Sequence, residues 1–439
     1  MKAVRLLSLA VILLLLCPAA LGEGQAIPDT LRFSQTEEAR KYLRDRVYTV
    51  ITLPTTANDT VTSEMQALLR SMHAAGSAHI PDGRPDLMDG YLDTGAHVFR
   101  TGTKWMSFLS ISSIAWEREQ IYVDFDARAY DMETGLRLSL WDVVTTDALP
   151  LLESAVRTGL NGYFSTLQAD ENVLSGLCSP QVLLNTPFTL SPGRLTLHYR
   201  ADLLYPGRNS LMHVSVPYAS LAPYLTEEAR AQTDNRGYNI CALTFDDGPA
   251  GAASIRVLNL LRRYGAQCSF FLVGSNMYNY HYVVCREHDA LQDVESHNWV
   301  HVYQDISTEN VTVWKAKFEK LLDEIIGLKP AYMRAPGGYC RSYLNAGANL
   351  PMIQWSVTST DAGSQNVAQV IGIVKGKTVP GSIILMHDLN PIAKEYVEPV
   401  LQYLEEKNYL LVTVAEMYEM YGSPLQDGEI YYSCEELTR

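Results

Sequence analysis

The spacing of apolar and polar positions changes character near residue 230. Residues 104–114 and 120–130 alternate, which predicts two half-buried strands. The DMETG stretch between Asp131 and Gly135 carries turn chemistry. Residues 65–72 and 149–167 show helical spacing, and residues 188–190, 195–199 and 213–216 read as short strands. This predicts an α+β module over residues 48–225 with no constellation of catalytic side chains. Residues 226–237 (TEEARAQTDNRG) are polar almost throughout and predict a linker.

After Tyr238 strands and helices alternate. Residues 240–245 form an apolar strand and residues 254–264 a helix closed by Gly265. Strands follow at 269–273, 353–357, 382–386 and 409–414, with helices over 314–326 and 392–407. Alternation of this kind predicts an α/β domain over residues 238–425, a parallel sheet or barrel. Chemistry in such folds gathers at the C-terminal ends of the strands.

The N-terminus adds a location. Lys2 and Arg5 precede an apolar run over residues 6–16, and Ala20-Leu21-Gly22 supplies small residues. Residues 1–22 therefore predict a signal peptide, cleaved after Gly22. The run is short for a bilayer span, and no other segment qualifies, so the mature chain is expected outside the cell with no stable membrane span. Six cysteines follow the signal: Cys178, Cys241, Cys268, Cys285, Cys340 and Cys434. Their even number permits disulfides, although Cys241 and Cys268 sit in apolar runs that suit buried thiols. The formal net charge of −14, with no basic cluster, excludes nucleic acid as a natural partner.

Four polar motifs fall at strand ends. Thr244-Phe245-Asp246-Asp247-Gly248-Pro249 turns sharply enough for two neighbouring carboxylates to reach one pocket. His297-Asn298-Trp299-Val300-His301 spaces two imidazoles as metal ligands, with a carboxylate as third. Arg334-Ala335-Pro336-Gly337-Gly338 offers a guanidinium that can orient a carboxylate and a glycine that lets backbone approach a ligand. Leu385-Met386-His387-Asp388 places a histidine suited to general acid catalysis.

Together these motifs resemble the polysaccharide deacetylase domain, the NodB-homology domain of carbohydrate esterase family four. TFDDGP matches its signature without change, and the resemblance covers residues 240–415. It implies a distorted (β/α) barrel of about seven strands, preceded here by the smaller α+β module. It also implies a divalent metal (zinc first, cobalt or manganese otherwise) and hydrolysis of N-acetyl groups on sugars. By this resemblance Asp247, His297 and His301 hold the metal and Asp246 is the general base. Arg334 orients Asp246, His387 is the general acid, and Asp361 pairs with His387. Gly337 supplies a backbone N–H to the oxyanion, and Leu385 and Trp355 line the substrate site. Residues 48–225 faintly resemble modules that precede such domains in Gram-positive cell-wall proteins. That favours peptidoglycan as the acetylated glycan partner, with xylan O-acetyl groups, chitooligosaccharides or a silent carbohydrate-binding homologue as alternatives.

The chain departs from the family at Asn298 and Val302, where Ser or Thr and then Pro are usual. Gly337 replaces an aromatic residue and Ala362 a tryptophan. Every inferred catalytic side chain is retained, so these departures bear on specificity more than on chemistry.

Overall fold

The structure, a computed structural model, describes residues 24–43, 47–80, 90–364 and 366–437; the expected signal peptide lies outside them. A five-stranded sheet opens the chain in the order β1 (Phe33–Leu43), β2 (Val47–Thr56), β3 (Gly90–Thr101), β4 (Trp105–Trp116) and β5 (Glu119–Asp131). Only β2 and β3 pair in parallel, and the helix Asp59–Ser77 makes the crossover. Asn58 caps that helix through the N–H groups of Thr60 and Val61, and Val61, Met65, Leu69 and Met72 line its buried side. Asp131 closes β5 by accepting from the N–H groups of Glu133 and Thr134.

A three-stranded antiparallel sheet follows: β6 (Phe188–Leu190), β7 (Arg194–Arg200) and β8 (Leu211–Pro217). The helix Leu149–Asn161 buries Leu152, Val156 and Leu160 beside it. It ends at Gly162, short of residue 167, where the chain turns back to the Thr158 and Gly159 carbonyls.

The third sheet has the order β11 (Asp293–Ser296), β10 (Cys268–Leu272), β9 (Asn239–Asp246), β14 (Ile383–His387) and β13 (Val357–Thr358), all parallel. Strand β15 (Tyr409–Leu411) pairs with the start of β9. Single bridges from Ser296 to Met333 and from Met333 to Met352 carry the pairing beyond β11. There β12 (Met352–Ile353) pairs with β16 (Ile430–Tyr431). This is an α/β fold, but the ladders do not close into the expected seven-stranded barrel. The strand expected over 353–357 is split between β12 and β13. Its Ile353 and Gln354 carbonyls turn to the Arg334 guanidinium instead of a neighbouring strand. The strand expected over 409–414 stops at Leu411, because Thr413 caps a helix over Val414–Met420.

Phe245, Phe270, Leu272, Ile384 and Met386 form the centre of this sheet's core. The core on its other side is shared. Ile51, Val98 and Phe108 of the first sheet and Val61 of its crossover helix cluster with Ile240, Ala242 and Phe271 of the third sheet and with Tyr332 beside it. Asp93 on β3 is buried between Arg262 (Nη1–Oδ2 2.6 Å) and Arg286 (Nη2–Oδ2 2.7 Å). The N-terminal sheet therefore shares a core with the third sheet.

Residues 226–237 are not a free linker. Glu227–Thr233 is helical, with Thr226 capping it through the N–H of Ala229. Gln232 accepts from the N–H of Thr103, and Asn235 bridges Gly102 N–H and Pro192 O, each at 2.8 Å. Among the described residues no helix is long and apolar enough to cross a membrane. All six cysteines present there are buried free thiols.

Candidate active site

Asp246 is the last residue of β9, and on a regular strand Asp247 would face away from it. Asp247 instead has φ +74°, which breaks the pleat and lets both carboxylates serve one site. Asn276 holds this turn by donating to the Asp247 carbonyl at 2.9 Å. Asp388 packs beneath it, where a Cβ on Gly248 would lie 2.7 Å from Asp388 Oδ1. Buried Asp388 accepts from Ser254, and burial raises its pKa to about 6.

Asp247 Oδ1 lies 3.3 Å from both His297 Nε2 and His301 Nε2. His297 is fixed from behind, because its Nδ1–H donates to the Arg334 carbonyl at 2.8 Å and leaves the Nε2 lone pair facing Asp247. Three acceptor atoms thus converge, and Asp247 Oδ1 is buried with no hydrogen-bond partner. Such a set repels itself without a cation, so it suits a divalent metal, and two imidazoles with a carboxylate are donors that zinc accepts.

Arg334 is wholly buried. Its Nη1 donates to Asp246 Oδ1 at 2.7 Å and Thr244 Oγ1 at 2.8 Å, while Nε and Nη2 donate to the Ile353 and Gln354 carbonyls. Phe271 covers one side, its ring centroid 4.1 Å from the guanidinium carbon, and half-buried Trp355 lies at 5.6 Å. Four of the five N–H donors are engaged, so Asp246 is held in one orientation.

His387 ends β14 directly opposite Asp246 in the register. Its Nε2 is 3.9 Å from Asp247 Oδ2, and its Nδ1 is 2.9 Å from Asp361 Oδ1. Asp361 also accepts from the His387 N–H at 2.8 Å and from Ser359 Oγ at 2.6 Å. Burial works against the imidazolium, but Asp361, Asp246 and Asp247 outweigh it and raise the His387 pKa to about 9. Leu385, nearly buried, pairs with Thr244 across the sheet. Gly337 adopts φ +61° in the turn after Arg334. The structure thus brings Asp246, Asp247, His297, His301, Arg334, His387 and Asp361 together. It adds four that sequence reasoning passed over: Asn276, Ser254, Asp388 as a support, and Ser359.

A model of the family described as polysaccharide deacetylase matches residues 233–352, which carry Asp246, Asp247, His297, His301 and Arg334. The Listeria monocytogenes peptidoglycan-N-acetylglucosamine deacetylase PgdA is 30% identical over 318 residues, covering 69% of this chain. The chain belongs to the polysaccharide deacetylase family. It spans 66% of that Listeria relative's length. A match this long exceeds what residues 233–439 can supply, so the likeness of this deacetylase-family chain extends back through its three-stranded sheet. The Bacillus subtilis peptidoglycan-N-acetylmuramic acid deacetylase PdaC is 25% identical, with 44% of this chain and 41% of the relative covered. The bifunctional xylanase/deacetylase of Pseudobutyrivibrio xylanivorans is also 25% identical, with 52% and 38% covered.

A second cluster, His213, His288 and Asp289, brings one ligand-type atom from each residue within 4.8 Å of the others. Its groups are largely engaged in holding β8 against the helix His281–Asp289. His213 Nδ1 meets His198 Nδ1 at 2.9 Å, and His288 Nε2 lies 3.1 Å from the Leu211 carbonyl. Asp289 accepts from the Leu211 N–H and from Gln120.

Proposed function

We propose that this deacetylase-family chain is an exported, metal-dependent hydrolase that removes N-acetyl groups from a cell-wall glycan, peptidoglycan first. The observation that carries the reading is the flanking of one cation-suited cluster by two oriented groups: Asp246 held by Arg334, and His387 held by Asp361. The curated relatives named for peptidoglycan support the substrate class. The basic, apolar and small-residue order of residues 1–22 supports export.

Asp247, His297 and His301 would hold the metal. A divalent cation there supplies polarisation of the amide carbonyl and acidification of water at neutral pH. Asp246, unable to rotate because of Arg334, takes a proton from the attacking water. His387 carries the proton that the departing amine needs, and Asp361 keeps that imidazole charged and correctly turned. Base and acid come from paired positions on neighbouring strands, so that both can reach one reacting carbon. Gly337 N–H is available to the developing oxyanion.

The test is mass spectrometry with acetate measurement after incubating the protein and zinc with peptidoglycan fragments, N-acetylchitooligosaccharides and acetylated xylan. The reading expects acetate and the free amine from peptidoglycan fragments. Acetate from xylan alone would establish the O-acetyl alternative, and no acetate from any glycan would overturn the assignment.

A further inference from the structure

Two tyrosines that the chemistry does not use stand beside the Asp247, His297 and His301 cluster. Tyr303 and Tyr339 are 50% and 49% exposed. The Tyr303 ring meets His301 edge to face, with centroids 5.1 Å apart and an interplanar angle of 83°. Tyr339 backs it at 5.9 Å and 39°. Tyr303 thus lies one ring's breadth outward from a metal-type ligand.

The loop beneath these rings is bare. Gly337 has φ +61°, and a Cβ there would fall 2.6 Å from Tyr303 Cε1 and 3.2 Å from Tyr339 Cδ2. No side chain fits at residue 337 unless Tyr303 moves. Absence of a side chain at this point therefore leaves room for the tyrosine ring where it lies. Neither tyrosine belongs to any of the buried apolar clusters, so interior packing does not account for their placement.

A pyranose has an apolar C–H face and a hydroxyl-bearing rim. An exposed aromatic ring matches the face, and a phenolic hydroxyl can serve the rim. We propose that Tyr303, backed by Tyr339, is a stacking platform for the sugar adjoining the one that is deacetylated, and that Gly337 sets its position. This rests on the deacetylase reading and makes the site selective for glycan chains over single sugars. Tyr303 acts on binding and position, not on bond breaking.

The test compares wild type with Tyr303→Ala, Tyr303→Phe and Gly337→Ala on N-acetylchitotetraose, with circular dichroism confirming folding. Tyr303→Ala should raise KM about tenfold while kcat stays within about twofold, the size of one aromatic contact. Tyr303→Phe should restore most of the affinity, and Gly337→Ala should weaken it by displacing the ring. Calorimetric binding of fully deacetylated chitotetraose gives a readout independent of turnover, and Tyr303→Ala should weaken it by a similar factor. Equal binding by wild type and Tyr303→Ala overturns the platform. Absence of acetate release by wild type, with binding still dependent on Tyr303, would overturn the deacetylase reading alone.

Discussion

Asp361 grips His387 at two points, accepting the backbone N–H with one carboxylate oxygen and facing Nδ1 with the other. One residue therefore sets both the place of the imidazole and its charge. His387 sits above the ordinary histidine value, at about 9, so its protonated form is present below that pH and is lost as pH rises through it. A cation held by Asp247 offsets part of that elevation. Asp361→Asn keeps the shape but removes the charge. The alkaline limb of kcat/KM should move to lower pH, with activity at pH 7 down by roughly 10²-fold or more. A pH–rate profile of the folded variant checks both.

Asp246 and Asp247 should separate by metal content. Asp247→Ala and His297→Ala should lose metal and activity together. Asp246→Asn should keep its metal and lose about 10²–10⁴-fold in rate, because an amide cannot accept the water's proton. Metal analysis of purified variants, with acetate release at saturating zinc, checks the pair. A metal-free Asp246→Asn would reverse the roles.

Arg334 should matter to the fold as well as to the rate. Its removal leaves buried Asp246 without its cation and two carbonyls without donors. Arg334→Ala should destabilise the protein by about 3–5 kcal/mol. Arg334→Lys should cost less stability yet still lose most activity, since a single ammonium cannot reproduce the planar fork. Denaturant titration beside kinetics separates these effects.

Asp93 joins the first sheet to two helices that follow strands of the third, through Arg262 and Arg286. Burial opposes its charge, but the two guanidiniums outweigh it and hold its pKa at about 2, against 3.8 ordinarily. A carboxyl held below its unfolded value stabilises above that value and loses its contribution as pH falls. Wild type should therefore lose stability between pH 3.8 and about 2, and Asp93→Asn should show a flatter profile over that window. Urea unfolding across that range measures it. For the same reason a fragment of residues 231–439, which strips away half of a shared core, should fail to give a cooperative unfolding transition.

The catalytic half was legible because its chemistry sits at strand ends in short contiguous motifs, from Asp246 to His387. Residues 226–237 were misread because their burial is polar: Gln232 and Asn235 are held by hydrogen bonds to Thr103, Gly102 and Pro192, which no apolar pattern announces. The break between β12 and β13 was hidden for a similar reason. Ile353 and Gln354 have strand-like side chains, but their carbonyls belong to Arg334, nineteen and twenty residues away. Strands β1 to β3 left little trace because several of their buried positions are polar: Gln35, Thr49, Asp93, Thr94 and Arg100. Tyr303 carried no signal, since its position depends on a glycine thirty-four residues later.

The six buried thiols give the molecule a built-in clock. None is paired, and burial pushes the Cys241, Cys268 and Cys285 thiols up, away from the reactive thiolate. The fold therefore needs no oxidant to form and no reductant to survive. Each cysteine becomes available to an alkylating reagent only when its surroundings open. Cys241 and Cys268 lie in β9 and β10 at the centre of the third sheet, Cys178 in the core beside β6 to β8, and Cys434 in the core shared with the first sheet. The order in which they take up label would record which layer lets go first.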